Sequence, residues 1–413
     1  MPDYTNIFYG IASEKAVNER INKWIDVAGQ PNIFAESETN LKKLPSKLLE
    51  KYEVVSLDEA LKRYPAAKIW VTYRKADKTA KAMAKKVNPE NIYFLEADLE
   101  YRKGCRYLGK FISYRSNNFS PCCITGQAPT IKTSGTIKER FAQWQEYTTK
   151  LVDDVRRNRP NDCDKCHMLK GGFYRKSVQL NEINFGSNQP GDICNFRCVY
   201  CFCEHALKNQ TNDQNALSTY EILSQISEMK EFDREDFTVQ LANGEFCAYK
   251  QCDEILDILL KNKWKIILVS NCSIYKEKLA TLIENGRVKK ITTSIDSGTA
   301  DTFFKVKQNN AFNRVLENLR KYPIEKTRLI TKYIFIEGLN DNKTDIDGFY
   351  NIAKEFNSVI MLSSNLNAPY TKNMRELAAR LVKRAKADGI KVDCSSAYLS
   401  PKDAEYINKM GGK

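Results

Sequence analysis

The chain has 413 residues, 42% of them hydrophobic, a formal net charge of +14 and ordinary Gly and Pro counts, which exclude a fibrous or disordered protein and leave room for two or three domains. No apolar run is long enough to span a bilayer, and the N-terminus lacks a basic start followed by an apolar core and cleavage site, so the reading is a cytoplasmic protein with no membrane partner. The charge favours anionic partners, but the lysines are scattered with no stripe of basic and aromatic residues, which disfavours nucleic acid.

Residues 1–100 alternate short apolar runs with helical patterns, the mark of an α/β unit with a parallel sheet. Strands are predicted at "NIFYGIA", "PNIFAE", "AAKIWVTYR" and "ENIYFLE". Between them, "EKAVNERINKWIDVAG", "SLDEALKRYP" and "KADKTAKAMAKKV" carry apolar residues at helical spacing. The order resembles the small Rossmann-like domains that accompany sugar-modifying and cell-surface glycan enzymes. Only Gly10 stands in the first turn, whereas a dinucleotide site uses several glycines so that backbone amides can approach a pyrophosphate. The expectation is a degenerate Rossmann-like domain with a structural or docking role.

Residues 101–176 have few apolar runs and five cysteines: Cys105, Cys122, Cys123, Cys163 and Cys166. A helical stretch, "TIKERFAQWQEYTTKLVDDVRR", separates "FSPCCITG" from "NDCDKC". A C-x-x-C pair with distant cysteines is the pattern of a four-sulfur metal site, and in a reducing compartment clustered cysteines hold metal rather than form disulfides. His167, beside Cys166, reads as a surface histidine, with a ligand or a tuning donor as the alternatives.

From 177 onward strands recur at nearly even spacing: "VQLNEINFG", "FTVQLAN", "KIILVSN", "KITTSID", "RLITKYIFIEG" and "SVIMLSSN". Helical patterns such as "STYEILSQISEMKEF" and "CDEILDILLKNK" separate them, and "MRELAARLVKRAKADG" with "IKVDC" adds a final helix and strand. Six such units predict a partial (β/α)6 TIM-type barrel, with functional residues at the carboxyl ends of its strands. The expected organisation is thus 1–100, 101–176 and 177–413.

Directly after the first barrel strand, "GDICNFRCVYCFCEHA" places Cys194, Cys198 and Cys201 in a C-x-x-x-C-x-x-C loop. Three thiolates at this spacing can hold three irons of a [4Fe-4S] cluster and leave the fourth iron open. The competing reading is zinc, with Cys203 or His205 as fourth ligand. Structural zinc, however, usually pairs two separated knuckles rather than one compact loop. With histidines only at His167 and His205, histidine-based hydrolysis has no support. Cys247, Cys252, Cys272 and Cys394 read as small buried hydrophobes, and Cys203 as a spare thiol.

The cysteine spacing, Tyr200 before the last cysteine and the position after a first strand together resemble the radical S-adenosylmethionine (radical SAM) superfamily. "LANGEF" resembles its glycine-glycine-glutamate motif, carried by Asn243, Gly244 and Glu245 with the first glycine replaced. "TTSIDSGTADTF" resembles the fourth-strand segment that contacts SAM, through Ser294 and Asp296. "VSNCS" and "YIFIEGLND" match the third and fifth strand ends. The likeness runs over about residues 178–395. It implies SAM and a [4Fe-4S] cluster as cofactors, with Tyr200 near the adenine, and reductive cleavage of SAM to a 5'-deoxyadenosyl radical that abstracts hydrogen from a substrate. An acidic electron donor such as a flavodoxin or ferredoxin would suit the basic chain. The segment before the barrel resembles the SPASM or twitch extensions that carry an auxiliary iron-sulfur cluster, but those usually follow the barrel. Its ligands would be Cys105, Cys163, Cys166 and one of Cys122 or Cys123, and the same four thiolates would equally suit zinc. The substrate class stays open between a peptide and an anionic or nucleotide-linked small molecule. A non-catalytic metal-binding or redox-sensing protein, or an RNA-modifying member of the superfamily, is the alternative.

Overall fold

The computed structural model describes residues 6–10, 21, 22, 24, 25, 30–44, 46–72, 83, 85–88, 91–94, 103–105, 107–115, 118–122, 129–156, 161–163, 166, 170–171, 178–186, 193–201, 216–242, 244–365, 369–395 and 398–412. These fall into two compact units. One comprises Met1–Lys110, Ile124–Pro129 and Gln145–Gln179, and the other Phe111–Cys123, Thr130–Trp144 and Leu180–Lys413. The cysteine-rich stretch 101–176 is therefore shared between them.

In the first unit, β1 (Asn6–Tyr9), β2 (Ile33–Glu36), β3 (Val54–Ser56), β4 (Lys68–Val71) and β5 (Ile92–Phe94) form a sheet in the order β3-β2-β1-β4-β5. All four pairings are parallel, which is the Rossmann-like arrangement expected from the sequence. Side chains alternate between two apolar layers. Ile7, Ile33, Ile69 and Val71 pack with Leu57 and Ala60 on one face, and Phe8, Phe34 and Trp70 pack with Trp24 on the other. Burial on both faces sustains strands this short, since each large apolar side chain so buried contributes ~1.5–3 kcal/mol. The helices α1 (Glu38–Leu41), α2 (Ser46–Lys51) and α3 (Leu57–Arg63) follow β2 and β3. Ser56 caps α3 by accepting a hydrogen bond from the Glu59 amide at 3.1 Å. Gly10 ends β1 at φ +102°, a conformation that suits glycine. A two-residue ladder, β6 (Lys103–Gly104) with β10 (Lys170–Gly171), also lies in this unit.

The second unit is built on one open sheet in the order β17-β16-β15-β14-β13-β12-β11-β7-β8-β9. Its central run consists of β11 (Glu182–Phe185), β12 (Thr238–Leu241), β13 (Lys265–Val269), β14 (Val288–Ser294), β15 (Arg328–Ile334), β16 (Val359–Ser363) and β17 (Val392–Asp393). Each pairs in parallel with the next. The intervening helices are α5 (Thr219–Ser227), α6 (Cys252–Lys261), α7 (Glu277–Glu284), α8 (Ala300–Lys307), α9 (Phe312–Lys321), α10 (Lys343–Glu355) and α11 (Lys372–Ala387), with α12 (Pro401–Met410) last. Sequential parallel strands joined through helices favour right-handed crossovers, which place the helices on one face. That is the partial barrel the strand spacing predicted.

One feature was not legible in the strand spacing. The β7 (Phe111–Arg115), β8 (Asn118–Ser120) and β9 (Ile131–Lys132) strands extend the same sheet, with β7 parallel to β11 and the other two antiparallel. Phe111, Ile112, Tyr114 and Phe119 are at most 1% exposed, so this stretch is not poor in core residues. After it comes α4 (Ile137–Arg156). Among the described residues no helix is long and apolar enough to cross a membrane.

Candidate active site

The three-thiol loop is held at both ends by backbone hydrogen bonds. The Glu245 amide, just past β12, donates to the Ile193 carbonyl at 2.7 Å, and the Arg197 and Val199 amides donate to the Lys307 and Val306 carbonyls at the end of α8. Side chains add a second tie. Asn195 donates through Nδ2 to Ser273 Oγ at 2.8 Å and accepts from Asn271 Nδ2 at 2.8 Å, while Asn309 Nδ2 donates to the Asn195 carbonyl. Within the loop the Cys201 amide donates to the Cys198 carbonyl at 3.0 Å, closing the C-x-x-C turn. Phe196 packs edge-on against Phe303 of α8. The loop is thus fastened to the second and third barrel strands and to the helix after the fourth.

Burial pushes the Cys194 thiol up to about 11, with the nearby Glu245 carboxyl acting in the same direction. Cys198 is raised for the same reason, against a lowering by Lys307. Thiols that are costly to ionise alone are offset by a bound metal cation, whose ligands must be thiolates. Among the described residues no three His, Cys, Asp or Glu side chains gather about one metal-ion position. Three half-buried thiols on one loop fit a cluster, in which each thiolate takes a different iron.

At the end of β12, Gly244 has φ +53°, and a β-carbon there would lie 2.4 Å from the Ile193 carbonyl oxygen. Only glycine lets the thiol loop approach this strand end. Glu245 is fully buried. Its Oε1 accepts from Ser270 Oγ at 2.8 Å and from the Cys247 amide at 3.2 Å, and its Oε2 accepts from the Asn271 amide at 2.5 Å. A carboxylate offers about four lone-pair sites, and the protein fills three of them here. Burial raises its pKa despite these bonds. Asn243 lies outside the described residues, as do Cys123, Cys203, His167 and His205.

Asp296 follows β14 with φ +56° and no exposed surface. Its Oδ1 accepts from the Ile334 amide at 2.7 Å, and its Oδ2 accepts from Tyr200 Oη at 2.5 Å and from Lys307 Nζ. Lys307 Nζ also donates to Tyr200 Oη at 2.6 Å. Burial and the Asp296 charge push the Tyr200 phenol well above its ordinary range, so it stays a proton donor. Tyr200, half-buried, therefore hydrogen-bonds to the buried Asp296–Lys307 pair and locks the thiol loop to the fourth strand end. Asn340, also fully buried, donates through Nδ2 to the Asp296 and Ile334 carbonyls. Ser294 ends β14, half-buried.

The cysteines expected to form the auxiliary site are only partly gathered. Cys105 and Cys163 belong to one apolar cluster with Leu108, Leu151, Tyr107 and Tyr147. The Cys166 amide donates to the Cys163 carbonyl at 3.0 Å, and the Cys163 amide donates to Asn161 Oδ1 at 2.8 Å. Cys122 is described with the other unit, where its carbonyl accepts from Ser120 Oγ.

Sequence reasoning missed Lys307, Asn340, Ser270 and Asn271. The last two stand in the quoted "VSNCS" and Asn340 in "YIFIEGLND", so position was visible and role was not. Lys307 had no local signal, because its partner is eleven residues away and the contact depends on the turn after β14.

An open, largely parallel sheet with a thiol loop after its first barrel strand and polar groups on successive strand ends fits a cofactor-dependent barrel enzyme. Residues 188–350 match the family described as the Radical SAM superfamily. Among curated relatives, the GTP 3',8-cyclase of Clostridium botulinum is 24% identical over 177 residues, which is 42% of this chain and 54% of the relative. That of Synechocystis is 29% identical over 153 residues, 37% of this chain and 45% of the relative. The chain spans about half the length of the curated relatives it matches. Among solved structures, Streptococcus suis SuiB bound to precursor peptide SuiA is 12% identical, with 63% of this chain and 55% of that one covered at a TM-score of 0.40.

Proposed function

We propose that the chain reductively cleaves SAM to a 5'-deoxyadenosyl radical, which abstracts hydrogen from a small anionic substrate. The carrying observation is the loop of Cys194, Cys198 and Cys201, fastened to three successive strand ends inside a radical SAM domain. When bound by these thiolates, a [4Fe-4S] cluster supplies an open iron for the amino and carboxylate groups of SAM and the electron for cleavage. The chain's own residues hold the geometry. Gly244 admits the loop to the β12 end, and Glu245 fixes the β13 end while keeping one lone-pair site for the SAM amino group. Ser294 meets SAM from the β14 end, and Tyr200, Asp296 and Lys307 keep the loop and the fourth strand together. The basic chain suits an acidic one-electron donor of the flavodoxin or ferredoxin class and a cytoplasmic setting.

An anionic, nucleotide-like small molecule is the substrate class supported by the net charge of +14 and by likeness to proteins named GTP 3',8-cyclase. The 1–100 domain serves structure or docking, and residues 101–176 supply a second metal site through Cys105, Cys163, Cys166 and Cys122 or Cys123. Anaerobic reconstitution with iron and sulfide, reduction with dithionite and chromatography for 5'-deoxyadenosine test the central reading. A SAM-binding, cluster-loaded protein that forms none would refute it.

A further inference from the structure

Two lysines stand at the carboxyl end of the barrel sheet, Lys307 buried and Lys332 half-buried, and their surroundings differ. Lys307 is ion-paired with Asp296 and hydrogen-bonded to Tyr200. The Lys332 side chain, on β15, has no hydrogen-bond or ion-pair partner among the described residues, and desolvation lowers its pKa. The charges that reach it are Asp296 and Lys307, which already compensate each other.

Strand register fixes where Lys332 points. On β15, Tyr333 packs against Phe349 of α10 with ring centroids 4.7 Å apart, so the odd positions face the helices. Even positions face the other way. Ile330 joins Val359 and Met361 in a small apolar cluster, and Lys332 follows two residues later at the carboxyl side of it. In register, Lys332 pairs with Ser294 on β14 and Met361 on β16. Its amine thus stands where the apolar floor of the inner face ends, beside the residue expected to meet SAM. Ser294 too has no side-chain partner among the described residues.

A half-buried amine without a side-chain partner is partly desolvated at a cost, and an arriving anion offsets that cost. An ammonium offers three donors as a compact point charge, suited to phosphate or carboxylate oxygens. We propose that Lys332 anchors an anionic group of the substrate, phosphate or carboxylate, on the inner face of the sheet next to the SAM position. This rests on the radical SAM reading and adds a substrate-binding residue to it.

The test uses the full chain, reconstituted anaerobically, with tripolyphosphate and citrate as probes in equilibrium binding, and SAM titrated separately. Lys332→Gln should weaken at least one probe about tenfold or more, the loss of a charge-assisted bond, and Lys332→Arg should restore most of it. The SAM dissociation constant should stay within about twofold in both variants, which also shows that they fold. The probe that loses more identifies the source as phosphate or carboxylate. Three outcomes overturn the proposal: neither probe binds the wild type, Lys332→Gln binds both as the wild type does, or SAM weakens as much as the probes, which would assign the lysine to the SAM carboxylate. Wild-type 5'-deoxyadenosine formation is measured in the same preparation. Its absence alongside intact anion binding would count against the radical reading alone.

Discussion

The molecule makes the same local turn twice. Both Cys198–Cys201 and Cys163–Cys166 close a C-x-x-C turn with the second cysteine's amide on the first one's carbonyl at 3.0 Å. Around the first, Ile193, Asn195, Arg197 and Val199 tie the loop to two strand ends and a helix end, and the Tyr200–Asp296–Lys307 triad backs it. Around the second, the described residues include the Asn161 acceptor and an apolar cluster with Cys105, Leu108 and Leu151. Spacing alone creates the turn, whereas topology decides whether the turn stands among groups that can hold a substrate.

The largest effect expected from this contrast is on chemistry. Cys198→Ala should remove the four irons of the site and abolish 5'-deoxyadenosine formation, because two remaining thiolates cannot hold the cage. A Cys163→Ala/Cys166→Ala variant should keep SAM cleavage measurable while losing the second metal. Anaerobic metal analysis reads the difference: about eight irons per chain in the wild type for two cubanes, or about four irons and one zinc if the second site holds zinc. Unchanged metal in the double variant would show that its cysteines bind none.

Next comes the Tyr200–Asp296–Lys307 triad that backs the first turn. Lys307→Met leaves Asp296 charged and sealed, with its side chain 0% exposed, and should destabilise by ~3–5 kcal/mol in denaturant unfolding. Adding Asp296→Leu should recover part of that loss, since the uncompensated charge is then gone. A double variant no better than the single would mean that the triad's geometry matters more than its charge balance.

How far the sequence carried can be judged on these same residues. The barrel strands and the order of the cysteine loop, "NGE" and "SID" were legible because period-two burial and strand-end chemistry are local. The partners of those motifs were not. Lys307 reaches Asp296 only after a turn at φ +56°, and Asp296 spends its carboxylate on Tyr200, Lys307 and the Ile334 amide. The β3 strand was missed because three residues cannot show an alternation. The β7–β9 strands were missed because cysteines and turn residues interrupt their apolar runs. In Lys332 the strand pattern was read correctly, yet the absence of a partner became visible only with the neighbouring strands in register.

A smaller effect should follow from Gly244→Ala. The added β-carbon meets the Ile193 carbonyl in a left-handed backbone conformation, costing ~1–3 kcal/mol of local strain. Because the strain falls on the thiol loop, iron content at the first site should drop while metal at the second stays constant. Equal losses at both sites would show that the two turns are not independent.

The smallest prediction bears on the second turn itself. Asn161 Oδ1 accepts the Cys163 amide at 2.8 Å, so Asn161→Ala removes one part-buried hydrogen bond, worth ~0.5–1.5 kcal/mol. If Cys163 and Cys166 hold metal, the metal already fixes the turn, and Asn161→Ala should shift the unfolding midpoint less in metal-replete protein than after chelation. Metal binding and the asparagine would then do the same work, and losing one matters only when the other is gone. If the turn is held by apolar packing with Leu108 and Leu151 alone, the shift should be the same in both preparations. The comparison therefore separates a metal knuckle from a packed one without reference to catalysis, through the size of a single small stability difference measured twice.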